Sequence, residues 1–419
     1  MESARRMTDS PVYRNRDFAF FISGRFLATV AMQVQSVAIG WQIYEIERTP
    51  LALGLVGLCQ FLPMFLLILP AGEITDRYDQ RKVLAIAIAL QGLCAALFMV
   101  FSMTGPRNAV PFYAVLVLFG AARGFSAPAG SSLLAFLVPQ EKLARGIALN
   151  SSVFTTAVIA GPALGGFLFV FGPLPTYGLC MAGFFVSAIL MSVLGGRRID
   201  RSVGEGISRL SRVIEGIRFV SSRPVVLGAI SLDLFAVLLG GAVALLPVYA
   251  RDILHVGPLG LGILRSAPAA GAAVTALALA RWPIERKTGT RMFAAVAIFG
   301  IATIAFGLSR NFALSLVALA ITGASDMISV FIRSALINFA TPDAMRGRVG
   351  AVNMLFIGAS NELGEFESGV TAAWFGTIPA VVVGGLGTLG IVAIWMGLFP
   401  PLRDVDRLTD VAPNTGSSS

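Results

Sequence analysis

The chain has 419 residues, 56% hydrophobic and 13% charged, with a mean hydropathy of +0.80. Soluble domains carry about 25% charged residues, so the composition excludes an ordinary soluble globule and points to repeated membrane crossings. The formal charge of +9 falls in short connectors between apolar runs and forms no basic face, which excludes nucleic acid as a partner.

Residues 1–17 read as a polar cytoplasmic tail. The apolar run behind it is too long for a signal peptide, so it is read as an uncleaved span. Twelve runs reach the roughly 20 residues that a crossing requires, at 18–44, 51–75, 83–103, 111–138, 146–171, 174–195, 225–249, 258–281, 291–309, 312–340, 349–375 and 378–399. Connectors are short, so neighbouring helices are antiparallel. With the N-terminus inside, 24 of the 32 Lys and Arg residues lie in inner segments. Only Arg48, Arg107, Arg251 and Arg310 lie in outer loops, and Arg25, Arg123, Arg265 and Arg333 lie within helices. This bias places both termini in the cytoplasm.

Run 1 carries Arg25 and Gln33. Arg25 is near the inner end, where a long side chain can snorkel to the interface. Between runs 2 and 3 stands a knot of charge, Ala71–Lys82, AGEITDRYDQRK. It resembles the loop motif G-x-x-x-D-R-x-G-R-R of the major facilitator superfamily at Gly72, Asp76, Arg77, Arg81 and Lys82. Asp79 stands where that family carries the glycine of a tight turn. The resemblance implies a gating motif: Asp76 pairs with a cationic side chain, or with the positive end of helix 11, and releases when the cavity opens inward.

Run 4 holds Arg123-Gly124, similar to an Arg-containing motif of the same superfamily. Run 5 contains Ala160-Gly161-Pro162-Ala163-Leu164-Gly165-Gly166, which resembles the G-x-x-x-G-P-x-x-G-G motif of exporters that exchange protons for substrate, with Ala157 in place of the first Gly. Gly161 and Gly165, one turn apart, let a neighbouring helix approach closely, and Pro162 removes a backbone hydrogen bond and permits a bend.

The longest connector, 197–224, is basic and carries Ile207, Leu210, Val213, Ile214 and Ile217 at helical spacing. It reads as an amphipathic helix on the inner membrane surface, linking a six-helix bundle at 18–196 to a second at 225–400. The tail 401–419 is polar and reads as disordered. The halves repeat: a shift of 208 places Pro50 on Pro258 and Gly54 on Gly262, and a shift of 203 places Pro139 on Pro342 and Asn150 on Asn353. The fold class is an all-α membrane protein of twelve spans in two pseudo-symmetric six-helix bundles.

Under the same shifts Arg25 falls on Asp233, Arg123 on Asp326 and Pro162 on Glu365. The second half thus holds acids where the first holds bases or a proline. Charges inside a span are costly, and they face the bundle interior or a wet cavity. Run 10 sets Asp326, Ser329 and Arg333 on one face. Run 11 is the most polar, with Met354, Gly358, Asn361, Glu365 and Ser368 in one stripe, Glu362 about 100° away and Glu367 nearly opposite. Gly358 and Gly364 there resemble packing glycines. Proton coupling needs a carboxyl that binds and releases protons inside the span, and the candidates are Asp233, Asp326, Glu362 and Glu365. The resemblance implies a central cavity lined by helices 1, 4, 7 and 10. Arg25, Gln33, Arg123, Asp233, Asp326, Arg333 and Asn361 are the cavity candidates.

Cys59, Cys94 and Cys180 fit neither a metal site nor a disulfide framework, and His255 lies in an outer loop, away from any proton relay. No phosphate-binding loop, zinc-protease or serine-hydrolase motif occurs, so neither a cofactor nor an enzyme is expected. The phrases at Glu215–Pro224, Ser231–Ala250 and Gly358–Gly369 resemble the bacterial branch of enterobactin exporters and transmembrane secretion effectors. That resemblance implies proton-coupled efflux of a drug-like or siderophore-like molecule across the bacterial inner membrane by alternating access, with small solute, protons and lipid bilayer as partners of a monomer. Proton-coupled uptake and lipid translocation are the alternatives the residues leave open.

Overall fold

The computed structural model describes residues 16–195 and 209–411. Lipid offers the backbone no hydrogen-bond partner, so long apolar runs fold into helices that satisfy their N–H and C=O groups internally. Among the described residues the regular structure is helical and contains no strand. The chain is an all-α, multi-pass membrane protein.

It divides into two compact units, Met1–Glu47 with Cys59–Val203 and Arg48–Leu58 with Gly204–Ser419. In chain order the helices are α1 (Arg16–Glu47), α2 (Pro50–Leu66), α3 (Ile68–Arg77), α4 (Gln80–Met103), α5 (Val110–Leu137), α6 (Leu143–Phe169), α7 (Pro173–Ser192), α8 (Arg209–Ser222) and α9 (Pro224–Gly240). They continue with α10 (Gly257–Arg281), α11 (Thr288–Leu308), α12 (Phe312–Ala340), α13 (Asp343–Phe375) and α14 (Thr377–Leu398). In unit 1, α1 packs on α6 and α7, and α4 on α5 and α7. In unit 2, α9 packs on α13 and α14, and α11 on α12 and α14. The internal repeat read from turn and glycine positions is therefore a repeat of packing.

Ten described helices are long and apolar enough to cross a membrane, and the bent pair α2–α3, turned by 49°, makes an eleventh. Pro70 lies in the first turn of α3 and has no N–H to give to the carbonyl of Leu66, which accounts for the break. The predicted run 349–375 falls on α13, whose 33 residues give a rod about 50 Å long. Its acids and amides keep it out of that apolar class, so the count of twelve is not reached on apolarity. The predicted run 225–249 falls within the apolar span Pro224–Ile253, whose helix is not regular throughout. α9 ends at Gly240, and the chain continues through a 3-10 turn (Ala242–Leu245), a short α turn with Pro247 and a π turn (Tyr249–Ile253). Pro247 cannot donate to the ladder, and Gly240-Gly241 carries no side chain to hold a regular helix.

Of the connector at 197–224, residues 197–208, including Ile207, lie outside the described residues, while α8 is a helix from Arg209. The expectation of a disordered tail from 401 is overturned as far as Val411. Leu402 and Val405 are buried in an apolar cluster with Ala229, Met292, Phe293 and Leu336. The carbonyls of Asp406 and Val405 accept from Thr288 N–H at 3.1 Å and Gly289 N–H at 3.0 Å. The first amides of α11 would otherwise be orphaned, so the polar tail is ordered by capping a helix start. Residues 412–419 lie outside the described residues.

Candidate functional site

Unit 2 concentrates the intramembrane charge. Arg333 on α12 makes an ion pair with Asp233 on α9, and their side chains are 2% and 7% exposed. Asp326, two turns before Arg333 on α12, interacts electrostatically with both. Ser329 lies between them on the same face, and among the described residues its buried hydroxyl has no hydrogen-bond partner. Arg333 thus has an ion-pair partner on another helix besides Asp326 on its own, so the group holds two acids and one base.

A second group forms between α10 and α13. Arg265 interacts electrostatically with Glu365 and Glu362, and all three are half-buried. Gly57, in the segment that groups with unit 2, meets the same acid: a Cβ there would stand 2.9 Å from Cβ and 3.0 Å from Oε2 of Glu365. Sequence reasoning counted Arg265 among the buried arginines but gave it no role. The usable signal was its depth in a span, where an ionisable residue is functional by default. Elsewhere on α13, Asn361 is exposed and donates to its own Ile357 carbonyl at 3.0 Å, and Glu367 accepts from Thr371 at 2.7 Å. Ser368 donates at 2.9 Å to the carbonyl of Gly241, the residue after α9 ends. Gly364 presses on the carbonyls of Val237 and Leu238, as a packing glycine should, whereas Gly358 faces open space.

Unit 1 carries the bases. Arg123 on α5 donates to Gln60 Oε1 on α2 at 3.2 Å. Arg25 on α1 reaches α5, where a Cβ on Gly130 would come 3.0 Å from Nη1. Gln33 stands at the α1–α6 crossing, its Cβ against Gly161. At the same crossing a Cβ on Gly165 would lie 2.9 Å from Val34 Cα. The glycines thus serve close approach of two helices, and α6 runs unbroken through Pro162 to Phe169. Gly166 is buried.

The charged knot proves to be a helix end and a cap. Gly72 is buried in α3, Asp76, Arg77 and Lys82 are at or near the surface, and Arg77 pairs with Glu73 at 2.5 Å. Asp79, at φ −62°, is the N-cap of α4 and accepts from Arg81 N–H at 3.0 Å. No glycine is needed at that φ. The Arg81 guanidinium donates to both oxygens of Asp79, at 3.1 and 2.9 Å, and to Leu194 carbonyl beyond α7 at 2.7 Å. The bonds from Arg81 hold the Asp79 carboxyl below the usual carboxylate range. Arg81 is therefore the motif member that ties this corner of unit 1 together.

The transmembrane secretion effector family model matches residues 9–415. The chain is 26% identical over 387 residues to the enterobactin exporter EntS of Citrobacter koseri, covering 90% of this chain and 91% of that one. It is 27% identical over 373 residues to EntS of Shigella boydii, covering 87% and 84%. Among solved structures it is similar to the nucleoside transporter NupG, at a TM-score of 0.69 and 13% identity over 91% of this chain and 99% of that one. A POT family transporter in complex with 5-aminolevulinic acid gives a TM-score of 0.72 at 11% identity, covering 93% and 97%.

Proposed function

The chain belongs to the transmembrane secretion effector family of the major facilitator superfamily and is a membrane transporter; from that premise we propose that it exports a small organic molecule across the bacterial inner membrane in exchange for protons. The observation that carries this reading is the excess of acids in unit 2. Four carboxyls, Asp233, Asp326, Glu362 and Glu365, share the fields of two guanidinium groups, Arg333 and Arg265. An uncompensated charge in a low-dielectric span is expensive, so protons or donor groups of a solute must neutralise the remainder. A proton and a solute that answer the same carboxyl exclude one another, which is the requirement for exchange.

Alternating access supplies the rest: the site opens to one side of the membrane at a time, with both termini in the cytoplasm as the charge bias requires. Asp76 acts in this reading as a gating residue, so its substitution impairs turnover more than binding. Relatives are named enterobactin exporters, which makes enterobactin the first solute to test. In inside-out vesicles the chain should accumulate it when the lumen is acidified, and an uncoupler should abolish accumulation. Accumulation unaffected by the uncoupler, or by Glu365→Gln combined with Asp233→Asn, would sink proton coupling. Flux only in right-side-out vesicles would mean uptake, and movement of labelled lipid without solute flux would mean translocation of lipid.

A further inference from the structure

α8 has two dissimilar faces. One is fastened to α13. Gly216 is buried there, and a Cβ on it would stand 2.8 Å from Arg348 carbonyl and 2.9 Å from Val352 Cγ2. Glu215 makes an ion pair with Arg348, and Val220 is buried in a cluster with Val226, Val349 and Val352. The other face is uncovered. Ile214 is 51% exposed and Ile217 45%, with exposed Arg218 beside them.

Two facts decide what covers that face. α8 leads through Arg223 directly into the membrane-spanning α9 at Pro224, and Ile217 lies seven residues earlier, about 10 Å along a helix. The face cannot stand far from the bilayer edge. α8 and Arg223 carry four arginines, Arg209, Arg212, Arg218 and Arg223, against one acid, Glu215, which already answers Arg348. An apolar stripe on a segment with a net excess of cations is complementary to anionic headgroups above acyl chains.

We propose that the exposed face of α8 docks on anionic lipid and that the Gly216–Arg348 seam carries this contact into α13, the helix that holds Glu362 and Glu365. Lipid charge then biases the position of the acid-bearing helix without touching solute. The coupling needs no assumption about the direction of transport or its coupling ion.

The test is amide hydrogen exchange of the whole chain in nanodiscs of phosphatidylglycerol and, separately, of phosphatidylcholine. Amides of 209–222 and of 343–352 should exchange about fivefold or more slowly in the anionic discs, the effect of placing one or more arginines at such a surface. Ile214→Ser with Ile217→Ser, both exposed positions, should remove the slowing in both segments while leaving the melting temperature unchanged. Arg348→Gln, or Glu215→Gln should the first fold poorly, should keep the slowing in α8 and lose it in α13. Exchange indifferent to lipid charge overturns the proposal. So does slowing that follows the number of protein copies per disc, which would assign the face to a second copy of the chain. Slowing of α13 that survives both seam variants overturns the coupling.

Discussion

Arg333 and Asp233 join α12 to α9 through an ion pair almost wholly shut from solvent, and Asp326 shares its field from two turns away on α12. One guanidinium thus serves two carboxyls. Removing one partner of a buried pair costs about 3–5 kcal/mol, whereas removing both is often close to neutral. Arg333→Gln should therefore be the most damaging single change, because it strands two acids. Asp233→Asn should be milder, since Asp326 can still answer Arg333. The double variant Asp233→Asn with Arg333→Gln should unfold at a higher temperature than Arg333→Gln alone. Thermal unfolding in detergent measures the cycle; additive losses would show that the pair is not a unit.

Arg265 supports the α13 acids from α10. Arg265→Gln takes the guanidinium field away from Glu362 and Glu365, so under the proposed exchange solute flux in vesicles should fall about tenfold or more. Arg265→Lys keeps the charge and should restore most of it. Proton release on adding solute, followed with a pH-sensitive dye, should fall in parallel with flux in Arg265→Gln. If flux falls while protons released per solute stay constant, Arg265 only packs the helix.

Spans, repeat and acid positions were legible because each leaves a local mark in sequence: an apolar run, a shared turn residue, a charge where lipid forbids one. Pairing was not. Asp233 and Arg333 lie 100 positions apart, and nothing in run 10 distinguishes an arginine that answers Asp326 from one that answers α9. The ordered segment to Val411 was missed for a related reason. Its composition is polar, and what orders it is the open start of α11, which is known only once the fold brings Thr288 to Asp406. Asp79 read as a departure from a glycine motif, yet its side chain caps α4 and holds Arg81, neither of which a glycine could do.

Asp79 gives a pH prediction outside the membrane. Its folded carboxyl is held below the usual range, first by the hydrogen bond from Arg81. A depressed carboxyl stabilises the fold above its unfolded value of about 3.9 and loses that contribution as pH falls through the folded value. The pair is partly exposed, so the contribution is about 1 kcal/mol or less. Asp79→Asn keeps an N-cap oxygen and removes only the charge. It should lower the melting temperature at pH 7 and match the parent once pH drops below the carboxylate range. A difference that persists in acid would place the effect in the cap rather than the charge.

Gly165 of α6 and Gly358 of α13 differ in what a methyl group would meet, although the sequence presents both as packing glycines. At Gly165 the new Cβ would lie 2.9 Å from Val34 Cα and 3.0 Å from its carbonyl oxygen, backbone atoms that cannot rotate away. At Gly358 it would meet nothing within 4 Å. Overpacking costs about 1–3 kcal/mol, while Ala in an open helical position gains up to about 1 kcal/mol over Gly. Gly165→Ala should therefore melt earlier than the parent, and Gly358→Ala should melt at the same temperature or later. The α1–α6 crossing also predicts a suppressor. Gly161→Ala would press on Gln33 Cβ at 2.6 Å, a side-chain atom, so Gln33→Gly should recover part of that loss. The same suppressor should do nothing for Gly165→Ala, whose obstacle is the Val34 backbone. Equal rescue of both variants would mean that α1 moves as a body, and the crossing would then be a sliding contact rather than a fixed one.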